Sequence, residues 1–210
     1  MVVYGIYYAL ALVAGGAAVT WLVGWPAAIP FYLLAAFCLN FFRDPERAIP
    51  EGSVAVSPAD GKVVAVKPDD AGGSRISIFL NIFDVHVNRT PIPGLIASIQ
   101  YKKGDFLVAS REDASHLNEQ NVFTVDGNFD GRPTRVVFSQ IAGLIARRII
   151  CYKKPGDLLT AGERVGLIKF GSRVDIFLGP EWEIVVHAGD RVSAGSSVVA
   201  RFRNSPGENA

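Results

Sequence analysis

The 210-residue sequence predicts a mainly β domain, a barrel or sandwich, preceded by an N-terminal hydrophobic α-helical hairpin. Three observations lead there. Residues 1–42 carry no charged side chain and no histidine, whereas the rest of the chain carries all of both. From Val54 onward, short apolar runs alternate with Gly, Asp and Pro, the pattern of strands and tight turns. A twelve-residue motif also occurs twice, 33 residues apart, which suits two similar β-hairpin corners better than a solenoid of many repeats.

Taken in order, Met1 to Leu22 is long enough to cross a hydrocarbon core of about 30 Å at about 1.5 Å per residue. Gly24-Trp25-Pro26 breaks that run, and Pro26 to Phe42 forms a second apolar arm, somewhat short for a full span. A secretory signal would place positive charge before the apolar stretch; here the first cation is Arg43. Arg43 and Arg47 mark the cytoplasmic side under the positive-inside tendency. The domain organisation expected is a membrane-associated hairpin over 1–42 and a β-rich domain over 43–210. The competing reading of the apolar pair is a helical hairpin packed on a soluble domain.

VAVSPADGKVVAV reads as strand, tight turn at Ala59-Asp60-Gly61, and strand. Arg75 to Asn88 reads as one longer strand with a bulge. Further strands are expected at Ile96–Tyr101, Asn121–Val125, Thr134–Ile141, Arg147–Tyr152, Arg164–Phe170, Val174–Leu178 and Glu183–His187. The best helix signal after residue 42 is Ile141 to Arg147. The repeated motif comprises Lys154-Pro-Gly-Asp-Leu-Leu-Thr-Ala-Gly-Glu-Arg-Val and His187-Ala-Gly-Asp-Arg-Val-Ser-Ala-Gly-Ser-Ser-Val, sharing G-D-x-apolar-[ST]-A-G. This layout resembles the hammerhead β-hairpins of biotinyl and lipoyl carrier domains. A carrier of that kind presents a lysine within Met-Lys-Met or Asp-Lys-Ala, yet Met1 is the one methionine and no Asp-Lys-Ala occurs.

Charge and cysteine content narrow the function classes. With 21 basic and 20 acidic residues the net charge is +1, so no global field draws the chain to nucleic acid. Cys38 and Cys151 have neither metal-ligand spacing nor a disulfide framework, which fits a reducing compartment. The chemistry candidates centre on KFGSRVDIF, residues 169–177. A glycine can adopt backbone angles that press a following hydroxyl toward the preceding carbonyl carbon, although a Gly-Ser pair is ordinarily just a turn. The hydroxyl of Ser172 needs a base. His116 lies in a polar stretch and His187 opens the second G-D turn, expected half exposed, whereas His86 sits between valines at a strand end and is the best candidate. Asp60 is the leading carboxylate to orient it, with a plain Asp-Gly turn as the alternative. Ser172, His86 and Asp60 have the residue types of a hydroxyl–imidazole–carboxylate triad, but spacing alone does not bring them together.

FFRDPER, SPADGKV, FDVHVNRTPIPG, SHLNEQN and FGSRVDIF, in that order from Phe41 to near Phe202, resemble the short, membrane-associated phosphatidylserine decarboxylases. The resemblance implies self-cleavage between Gly171 and Ser172 into a β chain of 1–171 and an α chain of 172–210. Ser172 would become a pyruvoyl group, which serves in place of pyridoxal phosphate and needs no metal. His86 and Asp60 would assist as base and orienting group. The substrate implied is phosphatidylserine or a closely related serine phospholipid, decarboxylated to phosphatidylethanolamine at the cytoplasmic face of the cell membrane. Asn88 and Arg89 would suit its phosphate or carboxylate through charge-assisted hydrogen bonds, a strand-end arginine in solvent being the plainer alternative. The partners implied are the phospholipid, the membrane and the α and β chains of one precursor, with room for a homodimer. Apolar Phe79, Ile82 and Phe83 would disfavour a charged carboxylate. Two departures stand out. Longer bacterial members carry a His-x-x-His pattern where this chain has His86 and Arg89, and many members read Leu-Gly-Ser-Thr or Leu-Gly-Ser-Ser at the cut, against Phe170-Gly171-Ser172-Arg173 here.

Overall fold

The uncharged N-terminal stretch folds as two helices, α1 at Val3–Leu22 and α2 at Trp25–Phe41. The structure is a computed structural model that describes residues 2–69, 72–105, 107, 117–143, 148–169 and 171–203. Its residues fall into two compact units that divide between Glu46 and Arg47, with Phe83–Val85 joining the first.

In the first unit, Gly24 turns the chain with φ +115°, and Pro26 enters α2 in its first turn, where a missing N–H costs nothing. Small residues let the two backbones approach. A Cβ on Gly5 would lie 2.5 Å from the Phe42 Cβ, and one on Gly16 would lie 2.9 Å from the Tyr32 ring. The start of α1 therefore packs on the end of α2, an antiparallel pair closed by a hydrogen bond from Val2 N to Phe42 O. Most other large side chains of the pair are exposed, including Trp21 and Trp25 at the tip. Among the described residues α1, with 20 residues, is the one helix long and apolar enough to cross a membrane; α2 has 17.

Among the described residues the second unit has fourteen strands: β1 Val54–Val56, β2 Gly61–Pro68, β3 Ser74–Leu80, β4 Val87–Arg89, β5 Gly94–Lys102, β6 Gln120–Phe129, β7 Arg132–Ala142, β8 Ile149–Cys151, β9 Leu158–Leu159, β10 Arg164–Ile168, β11 Ser172–Leu178, β12 Trp182–Ile184, β13 Arg191–Val192 and β14 Val198–Phe202. They form an eight-stranded antiparallel sheet in the order β13-β2-β3-β11-β7-β6-β5-β9, curled as a half-barrel, and two three-stranded sheets, β1-β14-β12 and β4-β10-β8. Alternation explains the core: Ile76, Ile78, Val174, Ile176, Val136, Phe138, Phe123 and Val125 all face inward and are buried. The Phe123 and Phe138 rings stack at 4.7 Å between centroids.

The mainly β architecture expected from the sequence is present, with three local differences. The 54–66 segment is a corner and not a hairpin: β1 pairs with β14 while β2 pairs with β3 and β13, so the chain changes sheet at Asp60. Arg75–Asn88 is likewise two strands in two sheets, because after Leu80 the chain leaves β3 and rejoins as β4. Of the expected helix at Ile141–Arg147, Ile141 and Ala142 end β7 instead, and 144–147 lie outside the described residues. The β6–β7 hairpin turns at Asp130-Gly131, both with positive φ (54° and 76°), the geometry of a two-residue hairpin loop.

The 33-residue repeat is structural and extends further than the motif suggested. In one copy Asp157 Oδ2 accepts from Lys154 N at 3.0 Å; in the other Asp190 Oδ2 accepts from His187 N at 2.8 Å. Each corner docks on an equivalent strand, with Gly156 N bonding Ile96 O and Gly189 N bonding Val63 O, both at 2.8 Å. Those strands are themselves offset by 33 residues: SPADGKV at 57–63 matches TPIPGLI at 90–96. Val56 N donates to Pro91 O and Arg89 N to Pro58 O, each at 2.9 Å, a reciprocal exchange that marks a pseudo-twofold relation. The sheet orders obey it, since exchanging β13 with β9, β2 with β5, β3 with β6 and β11 with β7 reproduces the large sheet.

Candidate active site

Two of the passages that the chain makes between the large sheet and the β4-β10-β8 sheet lie side by side. One passage runs from β3 to β4 and ends at His86. The other runs from β10 to β11 and ends at Ser172. They are tied together at both ends: Ser172 pairs with Leu80, the last residue of β3, while Ile168 N at the end of β10 donates to His86 O at 3.3 Å. Antiparallel pairing thus makes the two passages neighbours, with Ser172 opposite Leu80 at the large sheet and His86 opposite Ile168 at the smaller one, although the two residues are 86 positions apart in sequence.

Ser172 opens β11 between Leu80 and Ala142 and has no solvent exposure. Its strand alternation puts the hydroxyl on the inward face with Val174 and Ile176. Gly171 before it has φ +40°, in the left-handed region that glycine tolerates, and space around it is open, with no atom within 4 Å of where a Cβ would sit. Phe170 lies outside the described residues. Asn118, from the SHLNEQN stretch, braces the opposite side by donating to Ala142 O at 2.7 Å, so the strand beside Ser172 is held by a buried side chain.

Three buried side-chain atoms among the described residues make no hydrogen bond: Ser172 Oγ, His86 Nε2 and Asn88 Nδ2. Buried polar atoms are rarely left so, and unsatisfied ones concentrate where chemistry occurs. His86, Asn88 and Ser172 each have 0% exposure. His86 heads β4 beside buried Val85 and Val87. Asn88 is the middle residue of β4, opposite Gly166, and its Oδ1 accepts from Gln140 Nε2 at 2.9 Å.

Asp60 and Arg89 occupy different surroundings. Both carboxylate oxygens of Asp60 accept from Arg47 Nη2, at 2.9 and 2.7 Å, and Oδ1 also accepts from Ala194 N at 2.7 Å. The carboxylate is therefore seated between the polar exit of the helical pair's sequence and the second repeat corner. Arg89 is buried, donates from Nη1 to Gly162 O at 2.9 Å, and lays its stem against Gly195, where a Cβ would lie 2.9 Å from Arg89 Cδ. It braces the glycines of both repeat corners. His187 is 88% exposed, beyond the half-exposure its sequence suggested, and His116 lies outside the described residues. Of the apolar neighbours, Phe83 is 64% and Ile82 38% exposed.

Gln140, Asn121 and the ion pair of Arg173 with Asp175 were not anticipated. Gln140 has no exposure and Asn121 has 4%. Alternation becomes a signal for them once the strand register is known: Val136, Phe138, Gln140 and Ala142 face one way on β7, and Asn121, Phe123 and Val125 do so on β6, so each strand places one amide at a core position. On the opposite face of β11, Arg173 Nε donates to Asp175 Oδ1 at 2.6 Å and its Nη2 to Ser77 Oγ at 2.6 Å, both ionic side chains being at most 2% exposed.

A family model described as phosphatidylserine decarboxylase matches residues 34–200 of this chain. The chain is 68% identical over 197 residues to a phosphatidylserine decarboxylase proenzyme of Solibacter usitatus, covering 94% of each chain. It is 47% identical over 183 residues to the protein of that name from Nitratidesulfovibrio vulgaris, covering 84% of this chain and 83% of the relative. The corresponding proenzyme of Nitrosomonas eutropha is 47% identical over 191 residues, 88% of this chain and 87% of the relative.

Proposed function

The chain belongs to the phosphatidylserine decarboxylase family, and from that premise we propose that it is a self-processing, pyruvoyl-dependent decarboxylase that converts phosphatidylserine, or a closely related serine phospholipid, to phosphatidylethanolamine and CO2 at a membrane surface. The observation that carries the reading is the buried Ser172 hydroxyl, without a hydrogen bond, following a left-handed glycine on a passage tied to that of His86.

In the processing step His86 takes the proton of Ser172 Oγ as the oxygen adds to the Gly171 carbonyl carbon. The C–N bond breaks, the proton goes to the departing nitrogen, and residue 171 is left in ester linkage to Oγ. Removal of the Ser172 Cα proton then expels the Gly171 carboxylate, leaving a dehydroalanine at the head of the new chain. Its enamine isomerises to the imine, water adds, and ammonia leaves, so the new terminus is pyruvate in amide linkage. A buried hydroxyl with no competing acceptor and a flexible glycine with open space around it fit that conversion. Asp60 acts on the site through the ion pair with Arg47 that fixes the β1–β2 corner beside β3.

In turnover the pyruvoyl carbonyl supplies the electron sink for the pair released as CO2 departs. His86 holds the proton that the former α carbon receives, and Asn88 offers donors to an anionic oxygen of the substrate. Arg89, committed to the corner glycines, keeps β4 in register for both. The domain organisation fits a substrate that never leaves the bilayer: residues 1–42 keep the protein at the membrane, with Arg43 and Arg47 on the cytoplasmic side, while 43–210, cleaved into chains 1–171 and 172–210, do the chemistry. The test is release of labelled CO2 from carboxyl-labelled phosphatidylserine in detergent micelles. Release that is abolished by prior treatment with phenylhydrazine supports the reading; turnover insensitive to carbonyl reagents, or none from a fully cleaved chain, contradicts it.

A further inference from the structure

Asn121, Gln140 and Asn88 form a directional ladder across the buried interior. Asn121 Nδ2 donates to Gln140 Oε1 at 3.4 Å, and Gln140 Nε2 donates to Asn88 Oδ1 at 2.9 Å. Each carboxamide has one accepting and one donating end, so fixing the first fixes the next. The result is that Asn88 presents its Nδ2 away from Gln140, fully buried and without a hydrogen bond. The fold makes room for this arrangement. Gly166, opposite Asn88, lacks the side chain that would press on Gln140; a Cβ there would lie 2.9 Å from Gln140 Nε2. Gln140 is in register with Val174, so it is the diagonal inward neighbour of Ser172, a spacing of about 7–8 Å between backbones that an extended amide and a second carboxamide readily bridge.

A desolvated N–H donor is costly to leave unmade, and it strengthens whatever anionic oxygen it meets in a low-dielectric interior. Resting on the self-processing reading above, we propose that Gln140, supported by Asn121, is a positioning residue that aims the Asn88 amide at an anionic oxygen in the Ser172 pocket. That oxygen has two sources of one chemistry: the oxyanion formed on the Gly171 carbonyl as Ser172 Oγ adds to it, or the carboxylate of the serine phospholipid.

The experiment follows cleavage of the full chain during cell-free synthesis into detergent micelles, by intact mass at timed intervals, for the wild type, Gln140→Met, Asn88→Ala and the double variant. Thermal unfolding of each is recorded alongside. Gln140→Met should slow cleavage roughly ten- to hundredfold, and adding it to Asn88→Ala should slow cleavage no further, because it acts through that amide. On chains that have finished cleavage, KM and kcat for phosphatidylserine are measured separately. Slowing confined to cleavage assigns the donor to the oxyanion, and a raised KM assigns it to the substrate carboxylate; either supports the proposal. Wild-type values in both assays, or independent multiplicative losses in the double variant, overturn it. Should Gln140→Met fail to fold, Gln140→Glu decides. It keeps the size but sets an accepting oxygen against Asn88 Oδ1, which turns the amide and withdraws the donor, so slowing supports the proposal and a wild-type rate overturns it. A wild-type chain that never cleaves would instead sink the self-processing reading, an outcome distinct from all of these.

Discussion

At the scale of single residues, the site is a set of polar atoms buried with fewer hydrogen bonds than burial normally demands. Ser172 Oγ, His86 Nε2 and Asn88 Nδ2 share that condition, and each residue can be tested separately. Ser172→Ala should fold and remain one uncut chain. His86→Ala should cleave at least about a hundredfold more slowly, the usual worth of a positioned general base, as read from the half-time of the 210-residue species on denaturing gels. The ion pair of Arg173 with Asp175, on the face of β11 opposite Ser172, offers a stability test. Arg173→Met removes a charged partner from the buried Asp175 carboxylate, a loss of up to about 3–5 kcal/mol that should appear as a fall in melting temperature. The sequence pointed to Ser172 and His86 by residue type and by resemblance, yet Gln140 and Asn121 were hidden. An amide in a strand is informative only when its inward orientation is known, and that depends on register. Arg89 illustrates the converse: its position at a strand end suggested solvent or a ligand, whereas its guanidinium is drawn inward to Gly162.

At the scale of elements, the repeat corners and the strand they dock on are set by glycines whose demands differ. Gly61 has φ +148°, and a Cβ there would lie 2.2 Å from Phe79 O, a backbone atom that cannot yield without parting β2 from β3. Gly156 has φ +89° with open space around it. Gly156→Ala should therefore cost about 1 kcal/mol, the left-handed penalty alone, and Gly61→Ala roughly 3 or more, both read by chemical denaturation. The first corner also carries a titrating contact. The Lys153 ammonium bonded to Glu163 holds that carboxyl below its ordinary value, against the opposing effect of burial and with help from Thr160 N. A depressed carboxylate stabilises the fold fully above its unfolded value near 4.5, and the contribution is lost as pH falls through the lower folded value. Glu163→Gln should lower stability near neutrality by about 0.5 kcal/mol, and the deficit should vanish toward pH 3 in melting curves taken across that range. Strand positions were well marked by alternation, but which strands pair was not. SPADG looked like a hairpin turn because Asp-Gly is a hairpin signal, and only the pairing of β1 with β14 shows it to be a corner between sheets. Strands of two residues, such as β9 and β13, carry too few positions for any periodicity to show.

At the scale of the whole molecule, a pseudo-twofold scaffold carries the candidate residues without their repeating in the equivalent positions. The β1 segment Val54-Ala55-Val56 is apolar, whereas its counterpart β4 reads Val87-Asn88-Arg89, and Asp60 answers to Pro93. The candidate site thus lies in departures from an internal symmetry that the sequence betrayed only through its two G-D corners. The apolar helical pair has a separate role, and the intact protein should stay with membranes through alkaline carbonate washing and leave them in detergent, as checked by fractionation. The central claim is that the fold makes its own electrophile from Ser172. Intact-mass measurement of the purified wild-type chain under reducing, denaturing conditions tests this most directly. The account predicts two species meeting at Gly171 and Ser172, the smaller lacking an amine at its first residue and bearing a ketone instead. A single full-length species persisting after prolonged incubation of well-folded protein would contradict it.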